Sequence, residues 1–142
     1  MIRRMEERDI QSVAELERLC FSTPWTEHSL RDSLERQEYL FLVDERDDGI
    51  ISAYGGLLKI AEEGDITNIA VHPDYRQQGL GLAVTSALLE EGKKCGITAF
   101  TLEVRVSNAA AIHIYEKLGF RSAGVRKGFY DAPKEDGIIM WK

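Results

Sequence analysis

Cysteine is scarce in this chain: Cys20 and Cys95 are the only two among 142 residues, and no pairing motif joins them. Their scarcity excludes a disulfide framework and a cysteine-rich zinc site, and it makes a reducing cytoplasm the expected compartment. Histidine is nearly as sparse, and His28, His72 and His113 show no ligand spacing, so all three are read as non-catalytic. With only 3 Pro there is no proline-rich linker, and no repeat or low-complexity tract interrupts the chain. Long apolar runs are missing too. The longest, at residues 39–43 and 138–141, are far too short to span a bilayer, so no membrane association is expected. The opening Met1-Ile2-Arg3-Arg4-Met5-Glu6-Glu7 has no apolar segment after its charges, so no secretory signal is expected. Positive charge is outnumbered, 18 Lys and Arg against 24 Asp and Glu. The net charge of −6 disfavours direct nucleic-acid binding and favours a basic partner. What remains is 44% hydrophobic and 30% charged, the profile of one globular domain over residues 1–142.

The apolar patterning predicts the element order. A short strand at 2–5 leads to Asp9, a candidate helix N-cap, after which Ile10, Val13, Ala14, Leu16, Leu19 and Cys20 recur at helical spacing. Leu30 and Leu34 mark a second short helix. Strands are expected over 39–44 and 50–59, joined at Asp47-Asp48-Gly49, and over 65–71. A long helix over 79–94 carries Leu80, Val84, Ala87 and Leu88 on one face. A β-rich run follows at 98–104, then a helix capped by Asn108 and closed by Gly119, then strands at 120–125 and 137–141. The order β-α-α-β-β-β-α-β-α-β-β describes a mixed α/β domain.

The stretch from Asn68 to Leu82 is the most informative: a strand, a turn, and a glycine-containing loop opening a helix. The first N–H groups of a helix lack intrahelical partners, and the macrodipole adds partial positive charge there. Gly79 and Gly81 let a phosphate approach those amides closely, which makes an anion site. It is neither a Walker loop, since Gly92-Lys93 is followed by Lys94, nor the dinucleotide fingerprint, whose third glycine position is Val84 here. On the glycines alone, a helix that begins with Gly for close packing is an equal reading.

A second stretch, Leu102-Glu103-Val104 and then Asn108 to Phe120, shifts that balance. Together the two resemble the GNAT superfamily of acyl-CoA-dependent N-acyltransferases. Arg76-Gln77-Gln78-Gly79-Leu80-Gly81 fits the superfamily's pyrophosphate loop, and Asn108 with Tyr115-Glu116-Lys117-Leu118-Gly119-Phe120 fits its later signature. The element order is also that superfamily's, so the likeness covers nearly the whole chain. Pro24-Trp25-Thr26, Asn68-Ile69-Ala70-Val71, Leu102-Glu103-Val104-Arg105, Ser107-Asn108-Ala109-Ala110-Ala111 and Glu135-Asp136 to Met140 resemble the bacterial RimI-type enzymes in particular. Those acetylate the N-terminal alanine of a small-subunit ribosomal protein. Two departures stand out: Phe129-Tyr130 replaces the family's Tyr-Tyr, and Gln77 stands where many members have Arg.

The resemblance implies a GNAT-like fold, a central, mostly antiparallel twisted sheet flanked by helices, and acetyl-CoA as cosubstrate with no metal. It implies that the main chain of Ile69, Ala70 and Val71 pairs with the pantetheine arm. It further implies that Gln77, Gln78, Gly79, Leu80, Gly81 and Leu82 hold the pyrophosphate and that Asn108 bonds the arm. Glu103 would be the general base and Tyr115 the donor to the departing sulfur, in direct transfer within a ternary complex. The implied partner is a protein N-terminus, that of a basic ribosomal protein.

Elementary chemistry is consistent with these roles. Freeing an α-amine of pKa roughly 7.7–8.0 at pH 7 costs about 1–1.4 kcal/mol, against about 4.6 for lysine. One carboxylate is therefore a more adequate base for an α-amine. Proton transfer from an ordinary tyrosine to a thiolate is uphill by about 2 kcal/mol, so Tyr115 is expected to act partly as a hydrogen-bond donor. Packing roles compete throughout: Tyr115 shares the spacing of Ile112 and Leu118, and Cys20 and Cys95 read as packing or incidental residues. Glu62, Glu63 and Asp65, and also Asp131, Glu135 and Asp136, read as solvated faces; the second group follows the loop expected to border the acceptor cleft, and attracting a basic N-terminal peptide is its alternative role. Trp25 either borders that cleft or anchors the core. Two other functions stay open: the same fold acting on a lysine, polyamine or other small amine, and a non-catalytic CoA-binding regulatory or assembly module.

Overall fold

Eleven of the expected elements form, in the expected order, in a computed structural model describing residues 1–142. They are β1 (Ile2–Arg4), α1 (Ile10–Cys20), α2 (Glu27–Leu34), β2 (Tyr39–Glu45), β3 (Ile51–Ile60) and β4 (Glu63–Val71). After these come α3 (Leu80–Lys94), β5 (Ala99–Arg105), α4 (Ala109–Lys117), β6 (Arg121–Tyr130) and β7 (Glu135–Trp141). The strands make one seven-stranded sheet in the order β1-β2-β3-β4-β5-β7-β6. Every neighbouring pair is antiparallel except β4 and β5, which the α3 crossover joins in parallel.

Both faces of the sheet are covered, so its central strands are apolar at successive positions rather than at alternate ones. Phe41 and Val43 of β2 face α1 and α2, where Ile10, Val13, Ala14, Leu30 and Tyr54 complete one core. Leu42 between them faces α3, with Val84, Leu88, Phe100, Leu102 and Phe120. Gly55 of β3 lies under α3, and a Cβ there would come within 2.7–2.9 Å of Leu88, Val84 and Ile69. Its missing side chain sets how closely α3 can lie on the sheet.

Asp9 does not cap α1. It closes a short 3-10 turn, Glu7–Asp9, in αR geometry, with no side-chain capping bond to α1. Its carboxylate instead takes two bonds from Arg3, at 2.7 and 2.9 Å, and one from the Glu6 N–H at 2.8 Å. Burial opposes ionisation of Asp9, yet these donors hold its carboxyl below the usual carboxylate range. The end strand β6 runs to Tyr130, beyond the expected 125, because an edge strand with mostly exposed residues carries no burial alternation to read. β4 likewise starts at Glu63 rather than 65, and β7 at Glu135 rather than 137.

The decisive feature is where β4 and β5 part. Their parallel register covers Glu63↔Ala99 to Ile66↔Leu102 and ends there. β4 bulges against β3 between Gly56 and Leu57, leaving Thr67 as the extra residue, and then continues to Val71. β5 continues to Arg105 alongside β7. Beyond Ile66 and Leu102 the two strands form the prongs of a fork. Gly55→Val should destabilise the fold by about 1–3 kcal/mol through overpacking beneath α3. The urea midpoint measures it, and an unchanged midpoint would mean α3 has room to lift.

Candidate active site

Strand alternation decides which groups face the fork. His72 N–H bonds Ser52 C=O at 2.8 Å, which makes Ala53 and Val71 a non-hydrogen-bonded pair of the β3–β4 ladder. Val71, and Ile69 two residues earlier, therefore turn their N–H and C=O toward the gap. Ala70, opposite Tyr54, turns its own toward β3 and is buried. Of the three residues expected to pair with an extended arm, Ile69 and Val71 can do so by main chain and Ala70 cannot. The Val71 carbonyl already accepts from the Cys20 thiol and from Arg76 Nε, each at 3.3 Å, so its N–H is the freer group. Burial pushes the Cys20 thiol up, in keeping with a packing role.

The glycine-containing loop opens α3, as the sequence predicts. Gln77 (φ 63°) and Gly79 (φ 77°) are both left-handed, and Gly79 is the N-cap residue of α3. Nothing lies within 4 Å of where a Gly79 Cβ would stand, so the loop is open to solvent just ahead of the free N–H groups of Leu80, Gly81 and Leu82. Gln77 and Gln78 are exposed. Gly81 differs from Gly79: a Cβ there would rest on Ile114 at 3.4 Å and Val71 at 3.7 Å, so its surroundings are packed rather than open. Gly79 and Leu82 line a surface hollow of about 500 Å³ with Ala83, Ser86, Lys117 and Leu118. Lys117 supplies a cation beside the loop that the sequence reading did not single out.

Asn108 is both exposed and committed. Its side-chain oxygen caps α4 by accepting from the Ala111 N–H at 3.2 Å, which leaves its NH2 for any ligand arm. The approach to Asn108 is pinned by Glu135, which accepts from the Ser107 N–H at 2.8 Å and from Arg105 at 3.3 Å. The Ser107 bond, aided by Arg105, holds the Glu135 carboxyl below the usual range. Glu135 is thus a tether rather than a solvated face. Asp136 is another, accepting from the Gly128 N–H at 2.8 Å.

Glu103 and Tyr115 come from opposite sides of the sheet. Leu102 and Val104 point into the α3/α4 core, so Glu103 between them points to the α1/α2 side. Its Oε1 lies 3.8 Å from Arg126, and its Oε2 is buried without a partner in the chain. Tyr115 sits in the α3/α4 core, edge-on to Phe120, 8% exposed. Burial, with the nearby Tyr130, pushes its phenol up to about 12. Two neighbours were given no part in the site by the sequence, Asp65 being read as part of a solvated face. Burial and the Glu103 charge raise Asp65 above the usual carboxylate range, so it is a half-buried site residue rather than a solvated one. Tyr130, under the Arg105 guanidinium at 4.5 Å, is pushed up to about 12 by burial and by Glu103. The Phe129-Tyr130 pair was the signal for it. Phe129, without a hydroxyl, is 44% exposed beside it. Trp25 packs edge-on to Tyr39 and Phe41, which anchors the α1–α2 loop to the core.

Comparison with known proteins shows the family and the fold. The profile of the acetyltransferase (GNAT) family matches residues 10–120. A Bacillus subtilis relative, provisionally named a ribosomal protein bS18-alanine N-acetyltransferase, is 38% identical over 141 residues, 99% of this chain and 93% of its own. The ribosomal protein bS18-alanine N-acetyltransferase of Escherichia coli K12 is 36% identical over 138 residues, covering 96% and 92%. The crystal structure of an Escherichia coli ribosomal-protein-S18-alanine N-acetyltransferase superposes with a TM-score of 0.91 at 35% identity, covering 99% of this chain and 91% of that one.

The two loop glycines should respond differently to substitution. Gly79→Val should weaken acetyl-CoA binding at least ten-fold, since it strains a left-handed residue and fills the open approach. Gly81→Ala should change it less than three-fold. Calorimetric titration of both variants checks this, and equal losses would mean that both glycines serve the loop alike.

Proposed function

Because this chain belongs to the GNAT family of acetyltransferases, we propose that it is an N-terminal protein acetyltransferase whose acceptor is the N-terminal alanine of ribosomal protein bS18. One observation carries the mechanism: a gap in the sheet with a carboxylate on one face and a buried phenol on the other. A thioester threaded through the gap meets an amine from the Glu103 side and a hydrogen-bond donor from the Tyr115 side. The names of the relatives support the acceptor, and the net charge of −6 suits a basic one.

Glu103 takes the proton that the amine sheds as its nitrogen bonds the acetyl carbon and the carbon–sulfur bond breaks. An α-amine is mostly within one unit of neutrality at pH 7, so one carboxylate is a sufficient acceptor for that proton. Tyr115 faces the sulfur. With its phenol at about 12, full proton transfer to a thiolate of pKa roughly 8.5 is uphill by about 5 kcal/mol. Burial thus strengthens the role inferred for an ordinary tyrosine: a neutral donor that hydrogen-bonds developing negative charge and stays protonated at working pH. Ile69 and Val71 align the arm by main chain, Gly79 to Leu82 hold the pyrophosphate with N–H groups, and the Asn108 NH2 steadies the arm between them.

Glu103→Gln should lower turnover about 10²–10⁴-fold with acetyl-CoA affinity within two-fold of wild type. Parallel loss of affinity would make Glu103 structural. For the acceptor, thiol release with an Ala-initiated basic peptide is expected, and none with the same peptide blocked at its α-amine or with spermidine. Release from either of the latter would move the acceptor to a side-chain or small amine. The rate should rise with pH through the α-amine's range, roughly 7.7–8.0, and stay level to about pH 11. A fall near 10 that vanishes in Tyr115→Phe would mean an ordinary phenol.

A further inference from the structure

Glu17 is a carboxylate where the α1 pattern calls for an apolar residue. It falls on the inward stripe of residues 10, 13, 14 and 17 and is 1% exposed. Three donors meet it: the Trp25 N–H at 2.8 Å, Asn68 Nδ2 at 3.1 Å, and the Tyr54 hydroxyl. Burial and the Glu17 charge push the Tyr54 phenol up, so it remains a donor. The carboxylate only accepts hydrogen bonds, and that fixes the orientation of the Asn68 amide. Its nitrogen faces Glu17 and its oxygen is turned away.

That oxygen has nothing to bond. Asn68 is 6% exposed, and its Oδ1 has no partner in the chain. The other buried side-chain polar atoms without partners are Thr67 Oγ1 and Glu103 Oε2. All three belong to the first residues past the fork: Thr67 and Asn68 follow Ile66 on one prong, and Glu103 follows Leu102 on the other. They also share the α1/α2 face. Asn68 reaches Glu17 on α1, Thr67 lies with Phe41 over Gly56, and Glu103 points away from the α3/α4 core.

Asn68 Oδ1 and Glu103 Oε2 can only accept, and the Thr67 hydroxyl can do either. Such a set requires a group rich in N–H or O–H. A thioester carbonyl and sulfur have none to offer, and the amide N–H groups of the arm are assigned above to the prong's main chain, whereas an amine has two or three. We propose that Asn68 Oδ1, with Thr67 Oγ1 and Glu103 Oε2, receives the acceptor's α-amino nitrogen, and that Glu17 is the positioning residue that aims Asn68 at it. This rests on the α-amine reading above and assigns the amine's own binding groups.

The test compares two basic peptides that differ only in the first residue, alanyl in one and propionyl, lacking the amine, in the other. The propionyl peptide is scored as an inhibitor and the alanyl peptide as substrate. Wild type should bind the alanyl peptide about ten-fold tighter. In Asn68→Leu, of nearly the same shape, that preference should fall to within two-fold while the KM for acetyl-CoA stays within two-fold of wild type. Glu17→Gln retains Asn68 but frees its amide to turn, so it should lose part of the preference at unchanged acetyl-CoA KM. An unaltered preference in both variants, or no preference in wild type, overturns the proposal while leaving N-terminal acetylation standing. A raised acetyl-CoA KM also overturns it, by moving Asn68 to the cofactor arm. No turnover of the alanyl peptide by wild type overturns the α-amine reading itself. Should Asn68→Leu fail to fold, the wild-type preference and Glu17→Gln decide alone.

Discussion

Four residue pairs, Glu63↔Ala99 to Ile66↔Leu102, hold the two halves of this sheet together in parallel, and everything functional depends on their stopping there. Had the ladder continued, the edge groups of Ile69 and Val71 would be satisfied by β5 and unable to bind a ligand. The bulge at Thr67 and the capture of β5 by β7, through Thr101↔Trp141 to Arg105↔Gly137, pull the prongs apart. Open donors and acceptors are costly where water cannot reach them; here they lie on the half-exposed residues Ile69 and Val71 at the fork, where an added strand could pair with them.

The electrostatics on either side of the gap differ. On the α3/α4 side the buried phenol of Tyr115 lies in an apolar core that disfavours its anion. On the α1/α2 side, carboxylates and guanidiniums share the space: Asp65 and Glu103 face Arg126, while Arg105 covers Tyr130 and binds Glu135. In the proposed reaction, an amine that arrives as an ammonium and must shed a proton suits the second side, and a hydrogen-bond donor that must not ionise suits the first. Glu17 extends this polar side inward, beneath the α1–α2 loop that Trp25 fixes to the core.

Most of the architecture was legible because burial on a sheet or helix leaves a period. The stripe of α1, the run of β2 and the Asn108 cap were readable from residue types alone. What escaped notice had no period. β6 is an edge strand with few buried residues, and the roles of Glu135 and Asp136 depend on partners that only the folded chain brings near. Asp9 has a capping residue's chemistry but spends it on Arg3. Of the candidate site, the sequence names the motif residues but not the direction of a main-chain group: Ala70 faces β3, and Gly81 faces a packed neighbour. Glu17 was passed over because a count of apolar positions has no place for a carboxylate that completes the stripe.

The sheet works as a partition with one slot. On the proposed assignment each reactant has its own doorway, so neither has to vacate the other's path, and geometry alone imposes no order of arrival or departure. The two vestibules are also built from separate stretches of chain: the α3 entry and α4 on one side, the α1–α2 loop and the β6–β7 turn on the other. Under the proposed function, substitutions that retune the choice of acceptor can accumulate on one wall without disturbing the groups assigned to the acyl carrier on the other.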